Sequence, residues 1–149
     1  MIAKGDASEH AELFSAENDL LRDLVDKDYR DGEQAKLDPE VATMDFAYAA
    51  SSTPPIGIST LDGGAIIAVS ITERETITAV NDRSRITMAG RTAALAGVET
   101  SAFGFERTYT DQVLFYVPTA GSGGIIYLGA SQTMTDAREL TQEEANIGG

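Results

Sequence analysis

Hydrophobic positions along the chain follow two different periods. Over residues 7–30 the spacing is helical: Leu13, Phe14, Leu20, Leu21, Leu24 and Val25 share one face, while Glu12, Glu17, Asp19, Asp23 and Asp26 fill much of the rest. This predicts a single amphipathic helix. Asp6 or Ser8 can cap its start, Glu9 stands three residues after Asp6 as in a capping box, and Asp31-Gly32 ends it. The leucine stripe either packs on its own domain or docks on a neighbouring subunit. Residues 31–40 read as a polar connector.

From residue 41 the period becomes two. Ala42, Met44, Phe46 and Tyr48 alternate with Val41, Thr43, Asp45 and Ala47, which favours a strand, although Asp38-Pro39-Glu40 could open a helix. Ser51 to Pro55 breaks regular structure. Asp62-Gly63-Gly64 then separates the apolar runs 56–60 and 65–72, a hairpin signal, because glycine accepts positive φ. Residues 75–80 offer a further strand. Asp82 can cap a short helix over 83–96 that Gly97 stops, although Gly90, Ile86 and Thr87 weaken it. Phe103, Phe105 and Tyr109 mark another strand. The run 111–117 is apolar on both faces, as a central strand is. The glycine-rich stretch to Gly124 leads into Ile125, Ile126, Tyr127 and Leu128 as the next strand, and residues 136–144 could form a helical turn. The expected fold is therefore α+β and β-rich: an antiparallel sheet or sandwich body with an N-terminal amphipathic helix. Its expected division is an acidic helical arm and connector over 1–40, a β-rich body over 41–135 and a polar tail over 136–149.

Composition narrows the function classes. A chain of 149 residues with 42% hydrophobic residues can build one core without staples. The absence of cysteine excludes a disulfide framework, a thiolate zinc site and a cysteine nucleophile. A lone histidine, His10, excludes any site that needs two imidazoles. No apolar run approaches the roughly 20 residues of a spanning helix, and Met1 to Asp6 does not read as a secretory leader. A net charge of -13 opposes direct contact with nucleic acid or an anionic membrane.

The acidity is uneven. Residues 1–40 carry twelve acids and five bases, residues 136–149 four acids and one base, and residues 41–135 eight acids and five bases. A nearly neutral body suggests protein contacts, with the acidic ends repelling copies or docking on basic partners. Scarce lysine with abundant acid also fits a halophilic source.

Candidate chemistry is thin. Gly121-Ser122-Gly123-Gly124 lacks the lysine and Ser/Thr of a phosphate-binding loop and sits between two apolar runs, so it reads as a hairpin loop. Thr60 could act as a nucleophile only beside a base, which no fixed spacing supplies. Glu73 and Glu75, with Arg74 between them, are expected on an exposed strand edge. A glycosidase would need paired carboxyls and sugar-stacking aromatics, and tryptophan is absent. His10 reads as solvated; Asp6, Glu9 and Glu12 beside it could bind a cation weakly, without EF-hand spacing.

The segment YTDQVLFYVPTAGSGGIIYLGASQTMT, residues 109–135, resembles segments of structural proteins from tailed phages and archaeal tailed viruses. In those, a strand ending in Val-Pro is followed by a glycine turn, then by an Ile-Tyr-Leu-Gly-x-Ser strand. The resemblance implies a β-rich virion component, at the capsid surface, a connector or the tail, with no catalytic residues. It implies homo-oligomeric contacts and other virion structural proteins as partners, with no enzyme activity and no cofactor. The oligomer interface is expected on Leu13, Phe14, Leu20, Leu21, Leu24 and Val25. The order helix, two strands, helix, three strands, helix is also similar to roadblock-type dimer modules that regulate small GTPases, provided Asp82 to Gly97 is helical.

Overall fold

The computed structural model describes residues 8–15 and 27–145. About half of the described residues are strand and 16% helix, so the fold is α+β and β-rich with mostly antiparallel sheet, as the alternation predicts. A 3-10 turn, Ala11–Leu13, precedes helix α1 (Lys27–Gln34). Strands β1 (Ala42–Ala50), β2 (Ile56–Ser59), β3 (Ala65–Ala79) and β4 (Ile86–Thr87) follow, then helix α2 (Gly90–Ala96). Strands β5 (Thr100–Ser101), β6 (Gly104–Val117) and β7 (Ile126–Glu139) lead to a one-turn helix, α3 (Gln142–Ala145). The main sheet has the order β1-β3-β6-β7, with β2 also paired to β3; β4 and β5 form a separate small ladder.

Chain contacts divide the described residues into two units. The core unit holds 31–47, 73–110 and 133–145. Its apolar centre is Ala42, Met44, Ile77, Ile86 and Phe105, with Leu37, Phe46 and Met88 packed around it. Here β1 buries the even-numbered face that the alternation assigns to it. The Gln34 side chain anchors it: its Oε1 accepts the Met44 N–H at 2.6 Å, and its Nε2 donates to Ala42 O. Phe105 enters the core beside Gly104, whose φ is 137°. A Cβ on Gly104 would stand 2.0 Å from the carbonyl oxygen of Ile77, so only glycine fits there.

The hairpin unit holds 8–15, 27–30, 48–72 and 111–132. Its β2–β3 hairpin turns at Asp62 to Gly64 as expected, with Ile56 opposite Ala68 and Ile58 opposite Ile66. The loop between β6 and β7 spans the glycine-rich stretch, as expected for a hairpin.

Four expectations change. The helix over 7–30 does not run through its described first half: after the 3-10 turn, Phe14 is extended (φ -102°, ψ 139°). Ser15 N–H donates to Ile125 O and Ile125 N–H to Leu13 O, so tertiary bonding overrides helical spacing there. Helix α1 also continues past Asp31-Gly32 to Gln34. The two runs 65–72 and 75–80 are one strand, β3, without a turn at Glu73 to Glu75. Helix α2 covers only Gly90–Ala96, capped by Gly97, because β-branched Ile86 and Thr87 pair as a strand with Ser101 and Thr100. Finally, β7 runs to Glu139 with Ala137 buried, so the expected start of a tail at 136 falls inside a strand, and the helical turn is confined to α3.

Candidate interaction surface

Side chains on a strand alternate between the two faces of its sheet. In the hairpin unit one face carries aromatic packing. Phe115 meets Tyr127 edge-on at 6.3 Å, and Phe14 meets Phe115 at 5.7 Å, so the segment around Phe14 lies on this face. A Cβ on Gly124 would stand 2.8 Å from Ser15 N, which is why glycine sits where the two backbones touch. Leu114, Ile126 and Leu128 occupy the alternate positions and therefore the opposite face.

That opposite face is apolar and open. Residues directly opposite in a ladder share a face, so Ile56 and Ile58 stand beside Ala68 and Ile66. The Ala79 N–H donates to Phe103 O, and this register carried along β3 and β6 sets Ala68 beside Leu114. Ile56, Ile58, Leu114, Ile126 and Leu128 expose between 40% and 67% of their surface. Of the ten large exposed hydrophobic residues among the described residues, seven belong to this unit.

The hairpin segments of this unit, 48–72 and 111–132, are nearly free of charge. Asp62 is the only charged residue from Phe46 to Thr72, and there is none from Gln112 to Thr135. Asp62 sits at the rim, beside a cavity of about 460 Å³ that Tyr116, Thr119, Ser122 and Gly124 also line. Hydrogen bonds from Thr60, from Tyr116 at 2.5 Å and from the Gly64 N–H hold its carboxyl down at about 2. A carboxylate that acidic is a poor general base at neutral pH, so Thr60 gains little activation from it. The bonds from Tyr116 and Thr119 to Asp62 staple two loops together.

The ionic groups of the core unit do a different job. Glu73 and Glu75, expected on an exposed edge, are 1% and 4% exposed, and β3 is not an edge but a central strand with neighbours on both sides. Arg107 Nη2 lies 2.6 Å from Glu75 Oε2, an ion pair inside the core unit. Burial pushes the Glu75 carboxyl above its ordinary range, against the pull of Arg107 and of a hydrogen bond from Tyr109. Burial, and then the negative charge of Glu75, push the Tyr109 phenol up. At the surface, Arg138 clamps Glu144 through two bonds of 2.8 and 2.9 Å and reaches Glu106 at 3.1 Å. Among the described residues no group of three acidic or histidine side chains could hold a metal ion, and no helix is long and apolar enough to cross a membrane.

Two of the six expected interface residues are placed. Leu13 is exposed, while Phe14 spends its ring inside the chain, on Phe115. Leu20, Leu21, Leu24 and Val25 lie outside the described residues. The open face of the hairpin unit is absent from the expected set. Its signal was the missing charge across two long stretches, which a count over 41–135 as a whole averages away.

No protein-family model, no curated protein and no solved structure matches this chain.

Proposed function

We propose that this chain is a non-enzymatic structural subunit of a viral particle, working through contacts with copies of itself and with neighbouring structural proteins. One observation carries the reading: the hairpin unit presents an exposed apolar sheet face with no charged residue on it. Exposed apolar patches of this kind mark interaction sites, and the centres of protein interfaces are depleted of charge. A chain of net charge -13 can meet its own copy most easily where it carries no charge. The viral setting rests on the resemblance of residues 109–135 to virion proteins, and that segment supplies Leu114, Ile126 and Leu128 to the face.

The test is mass in solution. At micromolar concentration, light scattering should give an oligomer for the wild type. Ile58→Glu with Leu128→Glu should reduce it to monomer with an unchanged circular dichroism spectrum, because a buried carboxylate at each contact costs several kcal/mol while a solvated one on a free face costs little. A wild type that is monomeric at that concentration overturns the proposal.

A further inference from the structure

Asp38-Pro39 is the only Asp–Pro bond in the chain, and it lies in the exposed turn 38–40 ahead of β1. Both flanks of that turn are fixed. Leu37 before it and Val41 and Ala42 after it belong to the apolar centre of the core unit. From the end of β3, Val80 N–H donates to Val41 O at 3.0 Å, and Asn81 Nδ2 donates to Glu40 O at 3.3 Å. Within this frame the Asp38 carbonyl oxygen, which belongs to the bond to Pro39, accepts the N–H groups of Val41 at 2.9 Å and Ala42 at 3.0 Å. Paired backbone donors at such distances are what an oxyanion hole offers an acyl group under attack. The Asp38 carboxylate is one ring closure from the same carbonyl carbon, and its Oδ1 accepts the Glu40 N–H at 2.9 Å. The nitrogen of Pro39 belongs to a tertiary amide, which takes a proton more readily than an ordinary peptide nitrogen and leaves as a secondary amine.

We propose that the Asp38–Pro39 bond is a self-cleavage site, at which acid cuts the chain just ahead of β1. Cleavage here is independent of whether copies assemble. One carboxylate oxygen of Asp38 adds to the Asp38 carbonyl carbon and closes a five-membered ring; the oxyanion so formed faces the Val41 and Ala42 N–H groups. Collapse breaks the bond to Pro39, and its electron pair goes to the proline nitrogen, which takes a proton from hydronium. One water molecule then opens the cyclic anhydride, leaving two carboxyl groups on Asp38 and a free amine on Pro39. The sum is hydrolysis of one peptide bond, once per chain, so no turnover is involved. The new ends stay together at first, because Gln34 still bonds Ala42 and Met44 across the cut. Residues 1–38 carry eleven acids and five bases, so cleavage turns the acidic arm from a covalent part of the subunit into one held by non-covalent contacts alone.

The full chain is incubated at the lowest pH at which circular dichroism still shows the native fold, and aliquots are read by mass spectrometry in denaturant. Fragments ending at Asp38 and beginning at Pro39 should accumulate at least about tenfold faster than from the same chain unfolded in urea at that pH. Only the folded turn supplies the two donors, and losing one such donor costs an enzyme about 10²–10³ in rate. Asp38→Asn keeps an acceptor for the Glu40 N–H but loses the nucleophile, and Pro39→Ala loses the tertiary amide. With unchanged circular dichroism spectra, both should stay uncut over the time in which half of the wild type is cut. A folded chain that is cut no faster than the unfolded one overturns the proposal, since the bond then has only the lability of its own dipeptide. Cleavage of folded Asp38→Asn at the wild-type rate overturns it as well, and so does a wild type that stays whole in both states. All three results leave the assembly reading untouched.

Discussion

The Glu75 carboxylate lies in the middle of a central strand, held by Arg107 from the next strand. Pairs of this kind are costly to break from one side, because the remaining charge stays buried without its counterion. Replacing Glu75 by Leu should therefore destabilise the fold by about 3 kcal/mol in urea titrations, whereas Glu75→Leu combined with Arg107→Met should recover most of that loss. The pH dependence has a definite sign. Burial raises the carboxyl's pKa in the folded state above its value in the unfolded chain, so the folded state holds that proton more tightly. The contribution of Glu75 is thus fully present at acid pH, and it falls as pH rises from the ordinary carboxylate range through the elevated folded value.

At the scale of elements, the C-terminal turn shows the opposite sign. Glu144 accepts the Thr141 N–H at 2.8 Å and the Thr141 hydroxyl at 3.0 Å, and Thr141 Oγ1 accepts the Glu144 N–H, a reciprocal capping box for α3. The Arg138 clamp and this cap hold the Glu144 carboxyl down at about 2. Its stabilisation is present above the ordinary carboxylate range and is lost as pH falls toward 2. Glu144→Gln should lower the melting temperature near pH 7, with the gap to wild type closing as pH approaches 2, as thermal scans over that range would show. The elements themselves were unevenly legible. Alternation marked β1 and the β2–β3 hairpin correctly, because their periodicity is local. The length of β3 was hidden: Glu73, Arg74 and Glu75 read as an exposed strand edge until Arg107, remote in sequence, is seen beside Glu75. The extended Phe14 was hidden for the same reason, since its partners Phe115 and Ile125 lie about a hundred residues away. The open apolar face was half legible: its hydrophobic positions are plain in the sequence, but which face of each strand is covered depends on where Phe14 packs.

For the whole molecule, charge and contact surface are assigned to different stretches of chain. Asp62 and Asp111 are the only charged residues in 48–72 and 111–132, while the remaining segments carry the rest of the net charge of -13. Under the proposed assembly, two copies would repel through charges that lie off the contact face. Added salt screens that repulsion, shortening the Debye length from about 10 Å at 0.1 M to about 3 Å at 1 M, and leaves an uncharged interface untouched. Salting-out anions strengthen apolar burial further. An interface built on ion pairs would respond in the opposite way and loosen as salt rises. Sedimentation in 0.1 M and 1 M sodium chloride should accordingly show self-association tightening on the order of tenfold, about 1.4 kcal/mol, with a larger gain in sulfate. Dissociation at 1 M salt would show instead that arginine–carboxylate pairs join the subunits, and it would move the interface off the hairpin unit and onto the charged segments.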